Sequence, residues 1–123
     1  MPEKSRPIAF VVDDEMIIAS TLAAILKVSG FAAVAFSDPR EALLAAESRP
    51  PSLIISDVIM PGMNGVELAV QFKTKYPNCK ILLFSGQAAT VELLESARNE
   101  GHDFVLLEKP IHPSDLLAAI KKL

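Results

Sequence analysis

Short apolar runs recur along the chain, and each stops on polar or charged residues. Ile8-Ala9-Phe10-Val11-Val12 stops at Asp13-Asp14-Glu15, and the alanine-rich run Phe31 to Phe36 stops at Ser37-Asp38. Leu53-Ile54-Ile55 runs into Ser56-Asp57, Lys80-Ile81-Leu82-Leu83-Phe84 into Ser85-Gly86, and Phe104-Val105-Leu106-Leu107 into Glu108-Lys109-Pro110. Continuous apolar character over so few residues predicts strands buried on both faces, as parallel sheets require.

Between the runs the spacing becomes helical. Met16 to Ser29 is mostly apolar and Gly30 supplies a stop. Ser37-Asp38-Pro39 places a capping residue before proline at the first helical position, opening a helix to about Ser48 that Arg49-Pro50-Pro51 ends. Asn64 caps a helix over Gly65 to Tyr76, in which Leu68, Phe72 and Tyr76 recur four apart, and Pro77-Asn78 break it. Thr90 to Glu100 predicts a fourth helix stopped by Gly101. Pro113 opens a fifth, with Leu116, Ile120 and Leu123 on its buried side and Lys121-Lys122 at the negative end of its dipole. The alternation is (βα)5, an α/β chain with a doubly wound, five-stranded parallel sheet between helices.

Composition narrows the function classes. At 123 residues the chain predicts one domain, residues 1–123, large enough to bury a real core. Half of the residues are hydrophobic and 22% are charged, which argues against disorder. The net charge of −3 comes with no dense Lys/Arg run, so no direct nucleic-acid binding is expected. A single cysteine, Cys79, excludes an internal disulfide and a cysteine-rich metal site, and reads as a small packing residue. The segment Met1 to Pro7 lacks the apolar core of a signal peptide, and the longest uncharged apolar run, Met16 to Leu26, is about half of a membrane span. The expectation is a soluble, cytoplasmic protein with no membrane partner.

Right-handed crossovers bring the C-terminal ends of parallel strands to one edge, where ligands of open α/β sheets bind. Asp13-Asp14-Glu15, Asp57, Ser85 and Lys109 therefore converge. Each has an ordinary reading alone: acids favoured at a helix start, an aspartate capping the next helix, a serine in a turn. Together, clustered carboxylates and a lysine suit a divalent cation and a phosphoryl group. Asp57 can act as a nucleophile, since carboxylates form acyl phosphates. Mg2+ and the Lys109 ammonium would neutralise the transferring group, and Ser85 would donate a hydrogen bond. His102 and His112 flank the fifth strand and read as surface or capping residues.

These motifs resemble those of response regulator receiver domains, the phosphorylated half of two-component signalling pairs, over Ile8 to Leu123. The matching residues are Asp13-Asp14, Asp57 with Met60-Pro61-Gly62, Ser85-Gly86 and Lys109-Pro110, each after its own strand. The resemblance implies a flavodoxin-like, CheY-like fold with strand order 2-1-3-4-5. It implies that Asp57 takes a phosphoryl group from a histidine kinase or histidine phosphotransfer protein. Asp14, Asp57 and the Ile59 backbone carbonyl would ligate Mg2+, with Asp13 acting mainly through water. Lys109 would hold a phosphate oxygen beside a cis bond to Pro110, and Ser85 would swing toward the phosphate. A downstream partner, or a second copy in a homodimer, would dock on the face made by the fourth helix, fifth strand and fifth helix. No output domain is expected within these residues, and no enzymatic activity beyond self-catalysed phosphoryl acceptance and slow loss. The slow loss is implied by Ile59 and Gln87, which occupy the two positions bordering the hydrolytic water's approach.

One position departs from the family pattern. Three residues before the lysine, where a switch aromatic is usual, stands Leu106, and the segment from Gly101 to Lys109 is one residue longer than usual. Either Phe104 serves as the switch residue through a bulge or shifted strand, or it is only core and the coupling is absent. A degenerate receiver acting as a constitutive interaction module is therefore an alternative. A Mg2+-dependent aspartyl phosphohydrolase is disfavoured, because such enzymes place a second acid where Ile59 stands.

Overall fold

The structure, a computed structural model, describes residues 6–86 and 90–123. Five strands alternate with five helices: β1 Ile8–Val12, α1 Met16–Val28, β2 Ala32–Phe36, α2 Pro39–Ser48, β3 Leu53–Asp57, α3 Gly65–Lys75, β4 Lys80–Ser85, α4 Thr90–Asn99, β5 Val105–Glu108 and α5 Pro113–Lys121. All strands are parallel, in the order β2-β1-β3-β4-β5. The doubly wound α/β sheet and the 2-1-3-4-5 order are therefore present as expected. The order reverses between β1 and β3, which puts a crevice beyond their C-terminal ends.

Alternate residues of each strand enter two separate cores. Ala9, Val11, Leu53, Ile55, Leu82 and Phe84 meet α1 and α5 on one face. Phe10, Val12, Ile54, Ile81 and Leu83 meet α2, α3 and α4 on the other. β3 is buried along its whole length, whereas β5, at the edge, is exposed or half-buried throughout. This is why the apolar runs of the central strands are unbroken. Among the described residues no helix is long and apolar enough to cross a membrane.

Local signals act where the sequence places them. The Asp38 carboxylate accepts the Arg40 N–H ahead of Pro39. Asn64 and Glu67 form a reciprocal capping box at the start of α3. Gly30 takes φ +103° just past α1, a left-handed turn that glycine adopts without steric cost. The fifth strand differs from expectation by one residue: it spans Val105–Glu108 instead of Phe104–Leu107. Its pairing with β4 decides this, since Leu82 lies opposite Val105 and Ser85 opposite Glu108.

Candidate phosphoryl-acceptor and metal site

The first strand delivers Asp13 to its C-terminal end with no exposed surface. The Asp13 N–H donates to the Phe36 carbonyl at 3.1 Å, and its Oδ1 accepts the Glu15 N–H at 2.8 Å. This side-chain turn leads the backbone out of β1 and into α1. Asp14 follows and faces solvent. Asp57 closes the neighbouring strand β3 and is 6% exposed. The Ser56 hydroxyl donates to the Asp57 carbonyl at 2.8 Å. The carboxylates of Asp13, Asp14 and Asp57 each offer an oxygen within 4.8 Å of the others.

Lys109 reaches this cluster from beyond β5 by crossing the end of β4. Its Nζ lies 5.2 Å from the centroid of the Phe84 ring, donates to Asp57 Oδ2 at 3.1 Å, and contacts Asp13 Oδ2 at 3.4 Å. The negative face of the ring attracts the ammonium electrostatically. The backbone fixes where the stem starts: the Lys109 N–H donates to the Ser85 carbonyl at 3.1 Å, and the Lys109–Pro110 bond is cis.

Burial pushes the Asp13 carboxyl above its usual range, and the Glu15 N–H and Lys109 oppose that rise only partly. Burial pulls Lys109 down, but its bonds to Asp57 and the charges of Asp57 and Asp13 outweigh it, and the ammonium is held above its ordinary value. Three carboxylates thus cluster where one ammonium pairs with two of them. An all-oxygen donor set with excess negative charge is the chemistry a hard divalent cation requires.

The remaining expected residues fall into two groups. Ser85, the last residue of β4, is buried at the same edge, and its Oγ accepts from Thr90 Oγ1 at 2.6 Å. Ile59 lies two residues beyond Asp57, half-buried against the α3 side of the core. Gln87 lies outside the described residues. Phe104 is not brought to the site. The register places Ser85 opposite Glu108, so Phe104 sits four positions away, roughly 13 Å at the rise of a strand. The pairing runs without a bulge from Val105 to Glu108. Phe104 instead stacks on His102 at the far edge, with centroids 5.7 Å apart and planes 16° from parallel. Leu106 occupies the position opposite Leu83 and packs into the α3–α4 side of the core. His112 stands exposed at the N-cap of α5 without a side-chain cap bond.

Three residues near the site carried little sequence signal. Phe84 looked like any strand residue, and its contact with Lys109 exists only in the fold. Thr90 read only as a helix start. Gly65 read as the first residue of a helix, but a Cβ there would collide with the Asp57 carbonyl. The Gly65 N–H donates to the Val58 carbonyl at 2.7 Å, so α3 begins pressed against the strand end that carries Asp57. A hydroxyl five residues after a strand-end serine, and a glycine after a capping asparagine, were the available hints.

The family model of the response regulator receiver domain matches residues 9–121. The chain belongs to this family, the receiver module of two-component signalling. It is 27% identical over 111 residues to the DNA-binding response regulator MtrA of Mycolicibacterium paratuberculosis, covering 90% of this chain and 48% of that protein. The chain thus spans about half the length of the curated relatives that head this group. Among solved structures it resembles a CheY-like receiver domain protein from Methanospirillum hungatei, with TM-score 0.85 and 29% identity over 96% of this chain and 93% of that one. It also resembles the Vibrio cholerae chemotaxis protein CheY4, with TM-score 0.84 and 27% identity over 96% and 98%.

Proposed function

We propose that Asp57 is the phosphoryl acceptor of this receiver and that a histidine kinase or histidine phosphotransfer protein is the donor. The observation that carries this reading is the Lys109 ammonium, held 3.1 Å from Asp57 and 3.4 Å from Asp13 across the end of β4. An Asp57 carboxylate oxygen attacks phosphorus, a new O–P bond forms, and the bond to the donor nitrogen breaks with its electron pair leaving on the donor. Lys109 would follow the charge onto the phosphoryl oxygens, and Ser85, buried at the same edge, would donate a hydrogen bond. The Asp57 side chain is almost wholly buried, which strengthens these charge interactions.

Both Asp13 oxygens are already engaged, one with the Glu15 N–H and one with Lys109. Asp14 faces outward. That arrangement favours Asp14, Asp57 and the Ile59 backbone carbonyl as direct Mg2+ ligands, with Asp13 acting mainly through water. Bound there, Mg2+ would neutralise charge on the phosphoryl oxygens. The output would be a change in protein contacts through the face formed by α4, β5 and α5.

Treatment with acetyl phosphate and Mg2+ tests the reading. Intact mass should rise by one phosphoryl group, Asp57→Asn should stay unmodified, and excess chelator should suppress labelling. Labelling of Asp57→Asn at the parent level sinks it.

A further inference from the structure

The place where this family usually carries an aromatic switch holds Leu106, and the nearest ring in β5's approach, Phe104, lies at the opposite edge of the sheet. A link from the acceptor edge to the output face would therefore run through a side chain other than these two. Thr90 is the first residue of α4 and is 1% exposed, and its hydroxyl donates to the Ser85 hydroxyl at 2.6 Å inside the protein. That distance is at the short end for a hydroxyl pair. Thr90 and Ala97 are the buried residues of the helix it opens, and Leu93 and Leu94 pack half-buried against the core.

We propose that the Thr90 hydroxyl is the coupling group of this receiver, tying the Ser85 side chain to the first turn of α4 so that a movement of Ser85 moves the helix. This rests on the reading of Asp57 as acceptor. A change of rotamer displaces a serine Oγ by roughly 2 Å, more than a hydrogen bond tolerates. When Ser85 turns toward a phosphoryl group on Asp57, Thr90 must either follow or be left as a buried donor without its acceptor. The second outcome is costly in a dry interior, so the first turn of α4 follows. Leu106 has no polar handle for this role. Thr90 touches neither Asp57 nor Lys109 in the interactions described above, so it is a positioning residue.

The test compares the parent with Thr90→Val, Thr90→Ser and Thr90→Ala, each treated with acetyl phosphate and Mg2+. Intact mass reports labelling, and backbone amide shifts of Val91 to Asn99 report the helix in the same sample. Thr90→Val should label within about threefold of the parent, the scale of one neutral hydrogen bond. It should lose most of the phosphorylation-dependent shifts in α4, and Thr90→Ser should recover them. Ser and Ala differ at this position only by the hydroxyl, so they carry the same contrast if the valine variant does not fold. Equal α4 shifts in the Ser and Ala variants, or full shifts in a labelled Thr90→Val, overturn the proposal. A parent that does not label on Asp57 overturns the acceptor reading first, and this proposal with it.

Discussion

The two ends of the same sheet are built on opposite principles. At the C-terminal end, buried Asp13, Asp57 and Ser85 meet Lys109, and burial raises Asp13 above its usual range. At the N-terminal end the buried side chains are packing groups, and the charged ones, Lys73 and Lys80, reach out to backbone carbonyls. Cys79 is buried with its thiol pushed up to about 11, and His102 stacks on Phe104 beside the start of β5. Among the described residues no buried side-chain nitrogen or oxygen lacks a hydrogen-bond partner. The polar end is therefore tolerated because its groups are mutually satisfied, and the apolar end supplies stability. Changes at one end should alter chemistry, and changes at the other should alter stability.

The largest expected effect breaks that division. Gly65→Ala drives a methyl into the Asp57 carbonyl and the Val58 Cα, both backbone atoms that cannot give way cheaply. The substitution should cost about 3 kcal/mol or more in denaturant unfolding and also slow Asp57 labelling, because the strand end itself must shift. A near-parental unfolding midpoint would mean that the start of α3 relaxes freely.

Phe104→Ala sharpens the contrast from the other end. Phe104 is half-buried, so its truncation should cost about 2 kcal/mol, below the range for a fully buried ring. Labelling of Asp57 and the response of α4 should match the parent. A weakened response with intact labelling would restore Phe104 as the switch residue by a route longer than contact.

Ile59→Asn should leave the fold in place and change the lifetime of the acyl phosphate. A branched apolar side chain two residues beyond Asp57 cannot orient water, whereas an amide can, and decay should accelerate roughly tenfold, about 1.4 kcal/mol in barrier. The decay of intact mass after removal of the phosphodonor measures it. A rate at or below the parent's would show that the side chain does not govern water access.

The smallest effect concerns the carboxylates. Binding at a few times the dissociation constant adds about 1 kcal/mol to the folded state, so millimolar Mg2+ should raise the melting temperature by a few degrees. Asp14→Ala should remove that rise, and because Asp14 is exposed its metal-free stability should not fall. A parent unaffected by Mg2+ would count against the cation site.

Much of this was legible along the chain. Apolar runs marked the strands, and asparagine, aspartate and proline marked the helix starts, because backbone periodicity and capping are local effects. The polar strand ends named Asp13, Asp14, Asp57, Ser85 and Lys109 in advance, since connection handedness alone sends such ends to one edge. Strand order came only through resemblance, because periodicity does not say which strands pair. Tertiary structure alone decided the rest. The Phe104–Leu107 run fits a strand starting at either Phe104 or Val105, and only pairing with β4 selects Val105 and leaves Phe104 outside. Lys109 crossing Phe84 to reach two carboxylates, Thr90 bonded to Ser85 and Gly65 pressed on Asp57 are likewise decided in three dimensions. The Lys109 bridge to Asp13 joins residues 96 positions apart, and no local pattern specifies a contact at such separation. It forms because the parallel sheet brings these strand ends to one edge, where the ammonium meets two buried carboxylates.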